Sequence, residues 1–113
     1  MHEYMLIFRH ENMAGKVSPE QIQQWMQQHT AWLSEVISQK RLVGGAGLMF
    51  ENAKVVHFNK TVTDGAFGNT KETLTGYIII LAESIEAAAE YAKGSPILAG
   101  EGNTIEVRQL MKA

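Results

Sequence analysis

Gly76-Tyr77-Ile78-Ile79-Ile80-Leu81-Ala82 is the stretch on which the fold turns. Side chains of a strand alternate between its two faces, and here both faces are apolar. A strand of that kind is covered on both sides. Residues 3–9 have the same character: Tyr4, Leu6 and Phe8 point one way, Met5 and Ile7 the other. Two doubly apolar strands need two apolar layers to cover them.

The rest of the chain offers two helices. Ser18 is placed to cap the first, Pro19 suits its opening position, and Gln21 completes a Ser-x-x-Gln capping box. Val17 and Ile22 stand at the two positions of a hydrophobic staple. The spacing predicts a helix to about Lys40, with Ile22, Trp25, Met26, Leu33, Val36 and Ile37 as its apolar stripe. His29 follows Trp25 by four and precedes Leu33 by four, which puts it on that stripe, facing the sheet. The second helix opens at Ser84, turns Ile85, Ala88, Ala89 and Ala92 inward, and stops at Gly94 and Pro96. Residues 42–50, with Gly44, Gly45 and Gly47, read as a strand with a bend or bulge. Residues 54–62 read as another short strand, a hairpin partner. Residues 63–75 read as a polar loop, 96–103 as a second loop and 104–110 as a last strand.

The resulting order is strand, helix, strand, hairpin extension, strand, helix, strand. Right-handed crossovers then give an α+β fold, a ferredoxin-like antiparallel sheet with both helices on one face. Two helices cover only one side of that sheet. A second copy packed sheet to sheet is the natural cover for the other, so a twofold homodimer is expected. Left bare, the face would be a large apolar patch.

Composition narrows the function classes. One domain over residues 1–113 is the expectation for this length. Ten basic and twelve acidic residues give a net charge of −2 with no basic stripe, which argues against nucleic acid. There is no cysteine, hence no disulfide frame and no thiolate metal site. No apolar run approaches the roughly 18 residues of a membrane span, and residues 1–20 lack an apolar signal core. The expectation is a cytoplasmic protein with no membrane contact. His2, His10, His29 and His57 show neither His-x-His nor His-Glu-x-x-His spacing, so no metal is expected.

The polar stretch reads Thr63-Asp64-Gly65-Ala66-Phe67-Gly68-Asn69-Thr70-Lys71-Glu72, then Thr75-Gly76-Tyr77. Asp-Gly-x-Phe, Thr-Lys-Glu and Gly-Tyr leading into an apolar strand resemble the YCII-related family, in its DGPF-motif branch, over nearly the whole chain. The resemblance implies a dimeric α/β barrel. The motif's proline is Ala66 here, and Gly68-Asn69 stand where relatives carry Ala-Glu. In the YCII branch proper a His-Asp dyad draws its aspartate from the end of the first helix. By spacing from Arg41-Leu42 that place is about Ser38, so the dyad does not carry over.

His29 is the sharpest candidate, since an imidazole titrates near neutral pH and suits acid–base work. Its structural alternative, a hydrogen-bonded core histidine, is the commoner case on an apolar stripe; the resemblance, with a histidine often at the matching helical place, brings the two readings level. Asp64 is the second candidate, either orienting that imidazole or serving as a turn aspartate before Gly65. Phe67 reads as pocket wall or core plug. Lys71, Arg9 and Arg108 are candidate anion contacts, and Trp25 and Trp32 core or pocket wall. One axial histidine would suffice for haem, known in other dimeric α/β barrels; nothing in the sequence favours it, and no cofactor is expected.

Two functions follow. One is a cofactor-free enzyme on a small organic molecule, with His29 shuttling a proton and Asp64 orienting it. The other is a non-catalytic ligand-binding or regulatory dimer, linked through the resemblance to sigma-factor signalling. A dry, fully hydrogen-bonded His29 would count against the first.

Overall fold

The computed structural model describes residues 1–11, 19–49, 52–64, 72–100 and 102–111. The elements are β1 (His2–Glu11), α1 (Pro19–Ser38), β2 (Leu42–Gly47), β3 (Lys54–Val56), β4 (Val62–Asp64), β5 (Glu72–Ala82), α2 (Ile85–Lys93) and β6 (Thr104–Gln109). A single 3₁₀ segment, Pro96–Ala99, stands between α2 and β6. The main sheet runs β2-β5-β1-β6 and is antiparallel throughout. Four strands with two helices in this order make the expected α+β ferredoxin-like fold.

The core lies on one face of the sheet. Tyr4, Leu6 and Phe8 of β1 meet Ile78, Ile80 and Ala82 of β5, and Trp32, Val36, Ala88 and Ala92 of the helices close over them. Ile105 and Val107 pack against the same cluster from β6. The alternate residues, Met5, Ile7, Tyr77, Ile79 and Leu81, look the other way and are only half-buried. Thus the double apolarity of the two central strands is real, and the helices cover one half of it.

Several local expectations are corrected. α1 ends at Ser38, two residues early, because the chain closes it with a Schellman turn. Lys40 N–H donates to Ile37 O at 2.8 Å and Arg41 N–H to Val36 O at 3.3 Å, with Lys40 at φ 58°. Its buried stripe is also rotated. Trp32 and Val36 are buried and Trp25, His29 and Leu33 half-buried, whereas Met26 and Ile37 are exposed. In α2, Ala88 and Ala92 face inward as expected, joined by Ala87 and Tyr91 in place of the exposed Ile85. Ser84 caps α2 as expected, accepting from Ala87 N–H at 3.1 Å.

Residues 54–62 are not one strand. A turn divides them: His57 N–H donates to Thr61 O, Lys60 N–H to His57 O, and the Asn59 side chain accepts from Thr61 N–H and its hydroxyl. β3 and β4 thereby pair with each other as a separate two-stranded sheet. The polar side chain of Asn59 drives this turn by bonding its own backbone two residues on. The second doubly apolar strand starts at Glu72, earlier than residue 76, and Ser18, Val17 and Gly65 lie outside the described residues.

Candidate functional site

Strand period carries the series Leu6, Phe8, His10 along the helix-facing side of β1. Just there the ladder to β5 slips. Phe8 faces Gly76 and Arg9 faces Leu74, which leaves Thr75 as an extra residue. The Thr75 hydroxyl donates to Phe8 O at 3.3 Å and lies 2.6 Å from His10 Nδ1. Gly76 allows β2 to come close at this point, since a Cβ there would lie 2.9 Å from Ala46 O.

From above, α1 brings its ring side chains down on the same place. His29 sits 5.7 Å from the Phe8 ring at 87° and 5.8 Å from the Trp32 ring at 41°. Phe8 and Trp32 themselves meet edge to face, 6.3 Å apart. Trp25, one helical turn earlier, tilts over His10 at 6.4 Å. The i, i+4, i+7 spacing of Trp25, His29 and Trp32 is what aligns them along one side of α1.

Both histidines are half-buried, and burial holds each below the ordinary imidazole value of 6.5. For His10, the nearby His29 lowers it further, because two positive rings would repel. Burial therefore favours the neutral form of both rings. His29 has no hydrogen-bond partner among the described residues, and no buried side-chain nitrogen or oxygen among them lacks one. Its ring nitrogens accordingly reach solvent. Among the described residues His29 is thus neither fully buried nor hydrogen-bonded.

The arrangement has clear chemical capacity. Each neutral imidazole has one donor and one acceptor nitrogen, and neighbouring rings of this kind take up a first proton more readily than a second.

The other candidates fall elsewhere. Asp64 ends β4, its side chain 89% exposed and its carboxylate 2.6 Å from Lys54 Nζ. Arg9 pairs with Glu106 at 2.7 Å on the open face of the sheet. Arg108, opposite Met5, is exposed on that same face. Trp32 is a core residue that also borders His29. Phe67 and Lys71 lie outside the described residues. Ser38 Oγ donates to Glu35 O at 2.7 Å. Among the described residues no group of three or more His, Cys, Asp or Glu is placed to hold a metal, and no helix is long and apolar enough to cross a membrane.

His10 was absent from the sequence candidates. The signal was present in the alternation Leu6-x-Phe8-x-His10, which places His10 under α1 once β1 is extended to Glu11.

Fold and site define a ferredoxin-like α+β protein with a histidine pair held between its first strand and first helix. The family model of the YCII-related domain matches residues 3–112, and the chain belongs to that family. None of the curated proteins matches it.

Proposed function

We propose that this protein is a cytoplasmic homodimer of the DGPF branch, one domain over residues 1–113, with a small-molecule pocket in each subunit. The pocket lies between α1, the sheet and residues 64–72. In it His29 shuttles a proton in a cofactor-free isomerisation or elimination. The observation that carries this reading is the setting of His29: half-buried among aromatic rings, its pKa lowered by burial, and without a hydrogen-bond partner among the described residues. A general base poised near neutral pH needs that combination. Asp64 orienting His29 requires that its carboxylate leave Lys54; Phe67, Lys71 and Trp32 remain the proposed contacts of this pocket, whereas Arg9 and Arg108 stand on the opposite face of the sheet.

One observation favours the second reading, a non-catalytic regulatory module. The separate β3–β4 sheet displays Phe58, 99% exposed, beside exposed Val56 and Val62. Apolar groups gathered on such an element suit a protein contact.

The test is a thermal-shift screen of small organic acids, lactones and phenols on wild type, His29→Ala and Asp64→Asn. A ligand that binds the folded state raises its melting temperature with concentration. The expected result is one ligand class whose effect disappears in folded His29→Ala, followed by turnover of that class. No shift with any compound, together with a far lower melting temperature for His29→Ala, would assign His29 to the core and favour the regulatory reading.

A further inference from the structure

The bulge at Thr75 sets a hydroxyl against one ring nitrogen of His10, Nδ1, and leaves the other, Nε2, without it. A threonine hydroxyl has one hydrogen to donate and two lone pairs. With the Thr75 hydrogen assigned to Phe8 O at 3.3 Å, the hydroxyl meets His10 Nδ1 at 2.6 Å as an acceptor, and Nδ1 brings the proton. In the neutral ring Nε2 is then a bare acceptor. Nε2 has no partner among the described residues and is not sealed from solvent.

The surroundings say what such an acceptor would take. Phe8, Trp25 and Trp32 border the two imidazoles with flat apolar rings. A bare Nε2 needs a donor. An ionised carboxylate brings only acceptors, whereas a phenol or enol brings an O–H on a planar body. We infer that His10 is the second working group of this site, held by Thr75 as the Nδ1–H tautomer so that its Nε2 accepts the O–H of a planar weak acid. The inference takes the location of the pocket from the reading of His29 above. When the acid ionises, its O–H bond breaks and an Nε2–H bond forms, and the proton stays on the histidine pair until it is returned to the ligand or to water.

The test is ¹H–¹⁵N NMR of the imidazoles in the ¹⁵N-labelled full chain, alone and with phenol or benzoate at neutral pH. In wild type the expected result is a protonated Nδ1 and a bare Nε2 on His10, with phenol and not benzoate moving Nε2. Thr75→Ser keeps the tautomer and Thr75→Val releases it. His10→Phe weakens phenol binding by about five- to tenfold, the worth of one hydrogen bond. An Nε2–H tautomer in wild type, equal phenol binding by His10→Phe, a preference for benzoate, or no response of His10 to phenol overturns the inference. The two readings fail separately. If His29→Ala abolishes binding while His10→Phe binds like wild type, only the role of His10 falls. If phenol engages His10 Nε2 and His29→Ala changes nothing, only the role of His29 falls.

Discussion

Three successive isoleucines offer the sharpest test of the homodimer. Ile78 and Ile80 belong to the core, 5% and 0% exposed, while Ile79 between them looks out from the uncovered face. Truncating a fully buried isoleucine costs about 2–5 kcal/mol, so Ile80→Ala should lose that much folding stability. Ile79→Lys should act differently. Full burial of an isoleucine contributes about 1.5–3 kcal/mol, and this one is already half-buried within the chain, leaving about 1 kcal/mol for an interface. Twofold symmetry counts the substitution twice, and burying an unpaired ammonium adds several kcal/mol more. Dimer dissociation should therefore strengthen by at least two orders of magnitude, on the scale of about 1.4 kcal/mol per tenfold.

Sedimentation velocity across a wide concentration range measures the effect of Ile79→Lys on association, and urea unfolding the stability lost in Ile80→Ala. The expected pattern is a folded, monomeric Ile79→Lys beside a dimeric but weakened Ile80→Ala. Val56→Lys, on the separate hairpin, should leave association unchanged. A wild type that stays monomeric at every concentration refutes the argument from the uncovered face. So does an Ile79→Lys chain that remains dimeric.

Three further outcomes are expected. Burial lowers the pKa of His29 and, with help from His29, of His10, so below the ordinary value of 6.5 the unfolded chain takes up protons that the folded rings refuse. Stability is then full above pH 6.5 and declines as pH falls through the folded values; melts between pH 8 and 5 should show this, with a flatter profile in a His10→Asn, His29→Asn double variant. Gly45→Ala places a Cβ 2.5 Å from Tyr77 O and 2.8 Å from Ile78 Cα, at φ 154°. That overlap is with backbone, so a loss of about 2–4 kcal/mol in urea unfolding is expected, and a neutral result would contradict the close approach of β2 to β5. Lys40→Gly relieves a left-handed residue at the end of α1, and should stabilise by about 0.5 kcal/mol net of its unfolded-state entropy; a lower melting temperature would argue that the Lys40 side chain contributes to that end of the helix.

The fold was legible because burial on a strand has a period of two, and the two central strands showed it without interruption. The start and stop of α2 were legible through Ser84, Gly94 and Pro96, whose chemistry is local. Three features were hidden for physical reasons. The orientation of α1 depends on which residues the sheet can accept, and Met26 was sacrificed so that Trp32 could fill the space beside Phe8 and Gly94. The turn at residues 57–60 rests on one asparagine side chain inside an otherwise strand-like alternation. The bulge at Thr75 leaves no mark in composition, since it is a mismatch between strands distant in sequence. His29 was accessible to sequence reasoning through helical spacing; its neighbour His10 required knowing that β1 continues past Arg9.

That last point bears on where chemistry is stored in this molecule. His10 and His29 stand on a regular strand and a regular helix, not on residues 65–71, where the motif read from the sequence lies. Elements fixed by core packing hold their side chains more closely than loops do. Thr75 lies near the start of β5, three residues after Glu72, and its one hydroxyl meets both β1 and His10. Replacing Gly68-Asn69 by Ala-Glu should therefore change which ligand shifts the melting temperature while leaving the His10 tautomer as it is. A tautomer that changed with those residues would mean that the imidazole pair takes its order from residues 65–71, and the histidines would then lose their claim to be a site built by the fold.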